Sequence, residues 1–142
     1  MSNCIFCEFG SNKLLIPDQF IAEDGKSFVM LSYTPSTKGS LLIVPKKHFS
    51  ALSVVPKDLV GLLFNQAIRY GEILKQKLGA RAYIIKVNND LYKLETDRGH
   101  IGHIHIHVIP RYKANEKDNP KRASGEALRS VKAELVSDTI QK

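Results

Sequence analysis

Residues 103–107 read His-Ile-His-Ile-His, and Val108-Ile109-Pro110-Arg111 follow. In an extended strand alternate side chains point to opposite faces, so His103, His105 and His107 share one face while Ile104, Ile106 and Val108 share the other. Each imidazole can serve near neutral pH as a nucleophile, a hydrogen-bond donor or a metal ligand. Three imidazoles buried together would each need a partner, so the row points to chemistry rather than to packing. A second cluster is Cys4-Ile5-Phe6-Cys7. A Cys-x-x-Cys pair is a zinc half-site, a redox dithiol or two unrelated buried thiols. No thioredoxin-like βαβ pattern surrounds it, and a lasting disulfide is not expected in the cytosol.

The elements that must position these groups are legible in the spacing of apolar residues. Gln19 to Ser32 holds two apolar runs, Phe20-Ile21-Ala22 and Phe28-Val29-Met30-Leu31, separated by Asp24-Gly25, a dipeptide favoured in two-residue hairpin turns. Ser40 to Val44, preceded by Gly39 and stopped by Pro45, reads as a third, buried strand. From Pro56 to Leu78 the residues Leu59, Leu62, Leu63, Ile68, Ile73 and Leu74 recur at mostly helical spacings, with Gly79 at the stop. Ala82 to Val87 and Ile101 to Ile109 are two further strands, joined by a long polar connection over 88–102. A polar connection over 112–123 precedes a second helix over 124–139, with Ser124 as its N-cap. The order of elements predicts an α+β domain, a mainly antiparallel five-stranded sheet packed by two helices on one side.

At 142 residues with 43% hydrophobic residues, the chain suits one domain able to bury a core, over 1–142. The first residues carry no basic n-region or apolar h-region, and no apolar run nears the ~18 residues of a membrane span. A cytoplasmic protein away from membranes is expected. Lys and Arg outnumber Asp and Glu by 21 to 14, with much of the excess late in the chain. That balance suits a nucleotide or nucleic acid, yet interspersed acidic residues equally suit a solvated surface.

His103-Ile104-His105-Ile106-His107-Val108-Ile109 resembles the histidine triad pattern, in which three histidines alternate with apolar residues and two apolar residues follow. Gly39 to His48, ending in Val44-Pro45-Lys46-Lys47-His48, is similar to that family's Ile-Pro-Lys-Lys-His strand, and Cys4 to Cys7 to its N-terminal Cys-x-x-Cys variant. The resemblance runs nearly continuously to about Arg111 and is to the Hint-like branch, whose members are mostly homodimeric nucleotide hydrolases or transferases.

The resemblance implies that His105 attacks the α-phosphorus of a purine nucleotide derivative, such as a phosphoramidate, aminoacyl adenylate or dinucleoside polyphosphate. A neutral imidazole is a competent nucleophile near its ordinary pKa of ~6.5, and a covalent nucleotidyl-histidine divides one hard displacement into two easier ones. His107 and Asn88 would donate to phosphoryl oxygens, although Asn88-Asn89-Asp90 also suits a turn. Structural zinc would be held by Cys4, Cys7, His48 and His103; His100 is a rival ligand or, with Gly99, part of the phosphate loop. Ile5, Phe6, Phe9 and Met30 match the cleft for base and ribose, and each also suits a core. A homodimer is implied, with the helix around Leu59 to Leu74 at its interface.

Two departures stand out. The family's ribose-gripping Asp is replaced by Ser32, and Arg98-Gly99-His100-Ile101-Gly102 stands where a Gly-Gln motif is common. They leave a second reading open, a zinc-stabilised nucleotide-binding or interaction protein with little turnover. The late basic residues also admit nucleic-acid end processing, though no additional nucleic-acid finger is present.

Overall fold

The structure is a computed structural model that describes residues 4–94, 101–117 and 120–137. Strands β1 (Phe20–Glu23), β2 (Ser27–Leu31), β3 (Leu41–Pro45), β4 (Ala82–Val87) and β5 (Ile106–Arg111) form one antiparallel sheet in the order β1-β2-β3-β5-β4. Helix α1 is Ile5–Ser11, α2 is Lys57–Leu78 and α3 is Gly125–Val136. The class is the α+β arrangement expected from the sequence. Among the described residues no helix is long and apolar enough to cross a membrane.

Strand alternation divides the interior into two layers. Val29, Leu31, Leu41, Ile43, Ile104, Ile106 and Val108 pack with Leu63, Ala67 and Leu74 of α2 and Leu128, Val131 and Leu135 of α3. On the other face Phe28, Met30, Leu42 and Val44 pack with Phe6 and Phe9 of α1. This corrects two expectations: a third helix exists, and it covers the face opposite α2 and α3. At 7 residues, α1 is too short for a hydrophobic repeat to show in the sequence.

Local chemistry explains the boundaries. Pro56 sits at the N-cap of α2, and Gly79 ends that helix in the left-handed conformation at φ 77°. Helix α2 also comes close to β4 at Gly71, where a Cβ would lie 2.5 Å from the Tyr83 ring. In α3, Ser124 Oγ accepts the Ala127 N–H at 3.0 Å, the cap expected of it. The β1–β2 turn differs from the two-residue Asp-Gly turn expected, because Gly25 does not take a positive φ. Instead Asp24 Oδ1 accepts the N–H groups of Lys26 and Ser27, each at 2.7 Å.

Strand β5 begins at Ile106, not at Ile101. Upstream, the Ile104 N–H donates to the Phe49 carbonyl at 2.7 Å and His103 Nε2 to the Pro45 carbonyl at 2.7 Å. The segment carrying His103 and His105 is thus held by the last residue of β3 and the loop after it, instead of by the sheet ladder.

Candidate functional site

Cys4 caps α1 and Cys7 lies one turn further on, so α1 presents both thiols from the same end of the helix. The chain after β3 brings His48 to them, and the segment before β5 brings His103. Cys4 Sγ lies 3.2 Å from His103 Nδ1, Cys7 Sγ lies 3.5 Å from the same nitrogen, and Cys7 Sγ lies 3.4 Å from His48 Nδ1. One donor atom from each of these four residues falls within 4.8 Å of the others. Ligands around a tetrahedral zinc, with bonds of about 2.0–2.3 Å, stand roughly 3.5 Å apart, so the cluster has the donor types and spacing of such a site.

The electrostatics suit this use. His103 is 1% exposed, and burial pushes its imidazole down to about 4 against the opposing Pro45 hydrogen bond, with His48 and His105 adding to the depression. It is therefore neutral at pH 7. Its Nε2–H is given to the Pro45 carbonyl, which leaves the Nδ1 lone pair directed at the sulfurs. Burial pushes the Cys4 thiol up, so its deprotonation calls for a nearby cation.

From this cluster a row of rings runs along the sheet. The His48 and His103 rings are 4.9 Å apart, Phe6 stands edge-on to His103 at 5.7 Å and to His105 at 5.0 Å, and His105 is 4.8 Å from His107. The three triad histidines thus lie along one face, with Ile104, Ile106 and Val108 in the core behind them. His105 is 7% exposed, and its Nδ1 lies 2.8 Å from the carbonyl oxygen of His103. A carbonyl only accepts, so Nδ1 carries the proton and the ring's lone pair resides on Nε2.

Other residues singled out in the sequence fall at varied distances from this row. Asn88 follows β4, and continuing the Lys86↔His107 and Val87↔Ile106 register by one step sets it opposite His105. Phe6, Phe9 and Met30 are buried in the layer beneath α1, while Ile5 is 43% exposed. Ser32 borders an apolar cavity shared with Ala127, Leu128 and Val131 of α3, and its Oγ accepts the Thr34 N–H at 3.2 Å. Gly99 and His100 lie outside the described residues. The Pro45 carbonyl, which selects the His103 tautomer, was missed because a main-chain acceptor leaves no mark in a sequence.

An antiparallel five-stranded sheet carrying a histidine row beside a Cys-x-x-Cys helix defines a histidine triad protein. The HIT domain model matches residues 13–114, and the chain belongs to that family. An uncharacterised HIT-like protein of Methanocaldococcus jannaschii is 33% identical over 112 residues, covering 79% of this chain and 81% of its own length. An adenylylsulfatase of Arabidopsis thaliana is 26% identical over 140 residues, covering 99% of this chain and 66% of its own. The crystal structure of a zinc-bound histidine triad family protein from Mycobacterium smegmatis superposes with a TM-score of 0.71 at 28% identity, covering 94% of this chain and 95% of that one.

Proposed function

We propose that the protein is a nucleotidyl hydrolase or transferase of the histidine triad type, acting at the α-phosphate of a purine nucleotide derivative. The observation that carries the reading is the His105–His103 hydrogen bond, which makes Nε2 the basic nitrogen on the face shared with His107. Nε2 attacks the α-phosphorus and the bond to the leaving group breaks, giving a nucleotidyl-histidine. Water then attacks the phosphorus, the P–N bond breaks, and the nucleoside monophosphate departs. His107 and Asn88 donate to the phosphoryl oxygens as charge develops. The family relationship and the adenylylsulfatase relative support this class of chemistry. Turnover of adenosine phosphoramidate by wild type and His105→Ala, with mass spectrometry for an adenylyl group on His105, tests it. Equal rates and no adduct would exclude His105 as nucleophile.

In the same proposal Cys4, Cys7, His48 and His103 hold a structural zinc. The donor spacing and the zinc-bound relative support it. Zinc there would supply the positive charge that keeps both thiols deprotonated, joining α1 to the catalytic segment. A homodimer formed through the α2 face is also proposed. Ile68, 49% exposed on α2, supports such a surface, and sedimentation at micromolar concentration checks it, a purely monomeric species excluding the dimer. Cys4 and Cys7, neither of them in a disulfide, suit a reducing, cytoplasmic location.

A second reading, nucleotide binding with little turnover, is favoured by Ser32, whose hydroxyl already serves Thr34. Calorimetry with AMP beside the turnover assay separates the two, since binding without turnover supports only the second.

A further inference from the structure

The pairing of β4 with β5 sets Lys86 directly opposite His107. Residues directly opposite in an antiparallel pair place their side chains on one face with Cβ atoms about 4.5–5.5 Å apart. Lys86 is exposed and His107 half-buried. On the other side of His107, the β3 partner is Leu42, an apolar residue 7% exposed. Further along this face of β4 stands Ile84, paired with Ile109. Among the described residues Lys86 is paired with no carboxylate. Its side chain therefore leaves the sheet on the surface that carries the triad, beside the last histidine, with the ammonium at the end of a flexible four-carbon stem.

We propose that Lys86 is a specificity-determining residue, selecting substrates whose leaving group is a phosphate or sulfate oxyanion over substrates that leave as a neutral amine. The proposal rests on the nucleotidyl-transfer reading. In the first step the His105 Nε2 lone pair forms a bond to the α-phosphorus and the P–O bond to the leaving group breaks. The bonding electrons stay on the departing oxygen, where the ammonium of Lys86 offsets the charge. An amine leaving group departs protonated and neutral, so it leaves no negative charge for the ammonium to offset. The rival role for a lysine on β4, which is an edge strand, is to block pairing with another sheet edge.

The test compares kcat/KM for three adenylyl donors, diadenosine triphosphate, adenosine 5′-phosphosulfate and adenosine phosphoramidate, in wild type, Lys86→Met and Lys86→Arg. The first two substrates distinguish phosphate from sulfate. The expected result is that Lys86→Met lowers the ratio of oxyanion-leaving to amine-leaving turnover by about tenfold, the equivalent of one charge-assisted contact, and that Lys86→Arg keeps it. Unchanged ratios in Lys86→Met overturn the proposal, and increased self-association of that variant with unchanged ratios assigns Lys86 to edge protection. An adenylyl-His105 adduct in wild type beside unchanged ratios defeats the role of Lys86 alone. Absence of both adduct and turnover in wild type defeats the nucleotidyl-transfer reading and this inference with it.

Discussion

His105 Nδ1 lies 2.8 Å from the carbonyl oxygen of His103. His103 is held in turn by its side chain, with Nε2 on the Pro45 carbonyl and Nδ1 beside Cys4 and Cys7. The backbone that selects the tautomer of the proposed nucleophile therefore belongs to a residue of the Cys-His cluster. Orientation of His105 and integrity of that cluster are mechanically joined over two residues of chain.

His105→Ala removes the proposed attacking nitrogen while leaving the Phe6 layer and the cluster in place. Turnover of adenosine phosphoramidate is expected to fall by roughly 10³-fold or more, with the thermal midpoint little changed. Single-turnover kinetics with mass spectrometry checks this, because the variant must also lose the adenylylated species.

Protein purified without chelator or added metal is expected to carry about one equivalent of zinc per chain, measured by elemental analysis. Cys4→Ser, or chelation, should lower stability by about 2 kcal/mol, which for a chain of this size is about 8 °C in the thermal midpoint. An empty site at full stability would remove zinc from the proposal.

Asp24 supplies a pH dependence whose sign follows from its partners. Burial pushes its carboxyl up, but the N–H groups of Lys26 and Ser27, the Ser27 hydroxyl and the charge of Lys46 more than offset this and hold it below the usual carboxylate range. A carboxyl depressed in the folded state contributes stability above its unfolded pKa of ~3.9 and loses it as pH falls through the folded value. Asp24→Asn should therefore cost about 1 kcal/mol at pH 7, and the difference from wild type should shrink below about pH 4. Urea denaturation of both proteins at pH 7 and pH 3 measures it.

Ser32→Asp tests the ribose assignment. A carboxylate accepts a charge-assisted hydrogen bond where the hydroxyl accepts a neutral one, so AMP should bind about tenfold tighter, ~1.4 kcal/mol. The affinity of 2′-deoxy-AMP should barely move. Calorimetry with both ligands decides, and equal shifts would mean that residue 32 does not face the ribose.

How much of this was legible in the chain varies by element. Strands β1 to β4 and helices α2 and α3 are long or regular enough for apolar spacing, Gly79 and Ser124 to mark them, because those signals act over neighbouring residues. The histidine row was legible for the same reason, since alternation alone puts His103, His105 and His107 on one side. Helix α1 escaped notice because 7 residues hold barely two turns.

What the sequence determined by itself was the set of reactive groups: three alternating imidazoles, a Cys-x-x-Cys pair and the absence of an acidic residue at position 32. The tertiary structure decided which of them meet. His48 and His103, 55 residues apart in the chain, converge on Cys4 and Cys7 only because β3 and β5 pair antiparallel and α1 folds over the opposite face. The assignment of protons was also tertiary, because the Pro45 and His103 carbonyls that select the imidazole tautomers are main-chain atoms common to every residue. Side-chain type is written locally in the chain, whereas hydrogen-bond partners of that kind exist only after distant segments have packed.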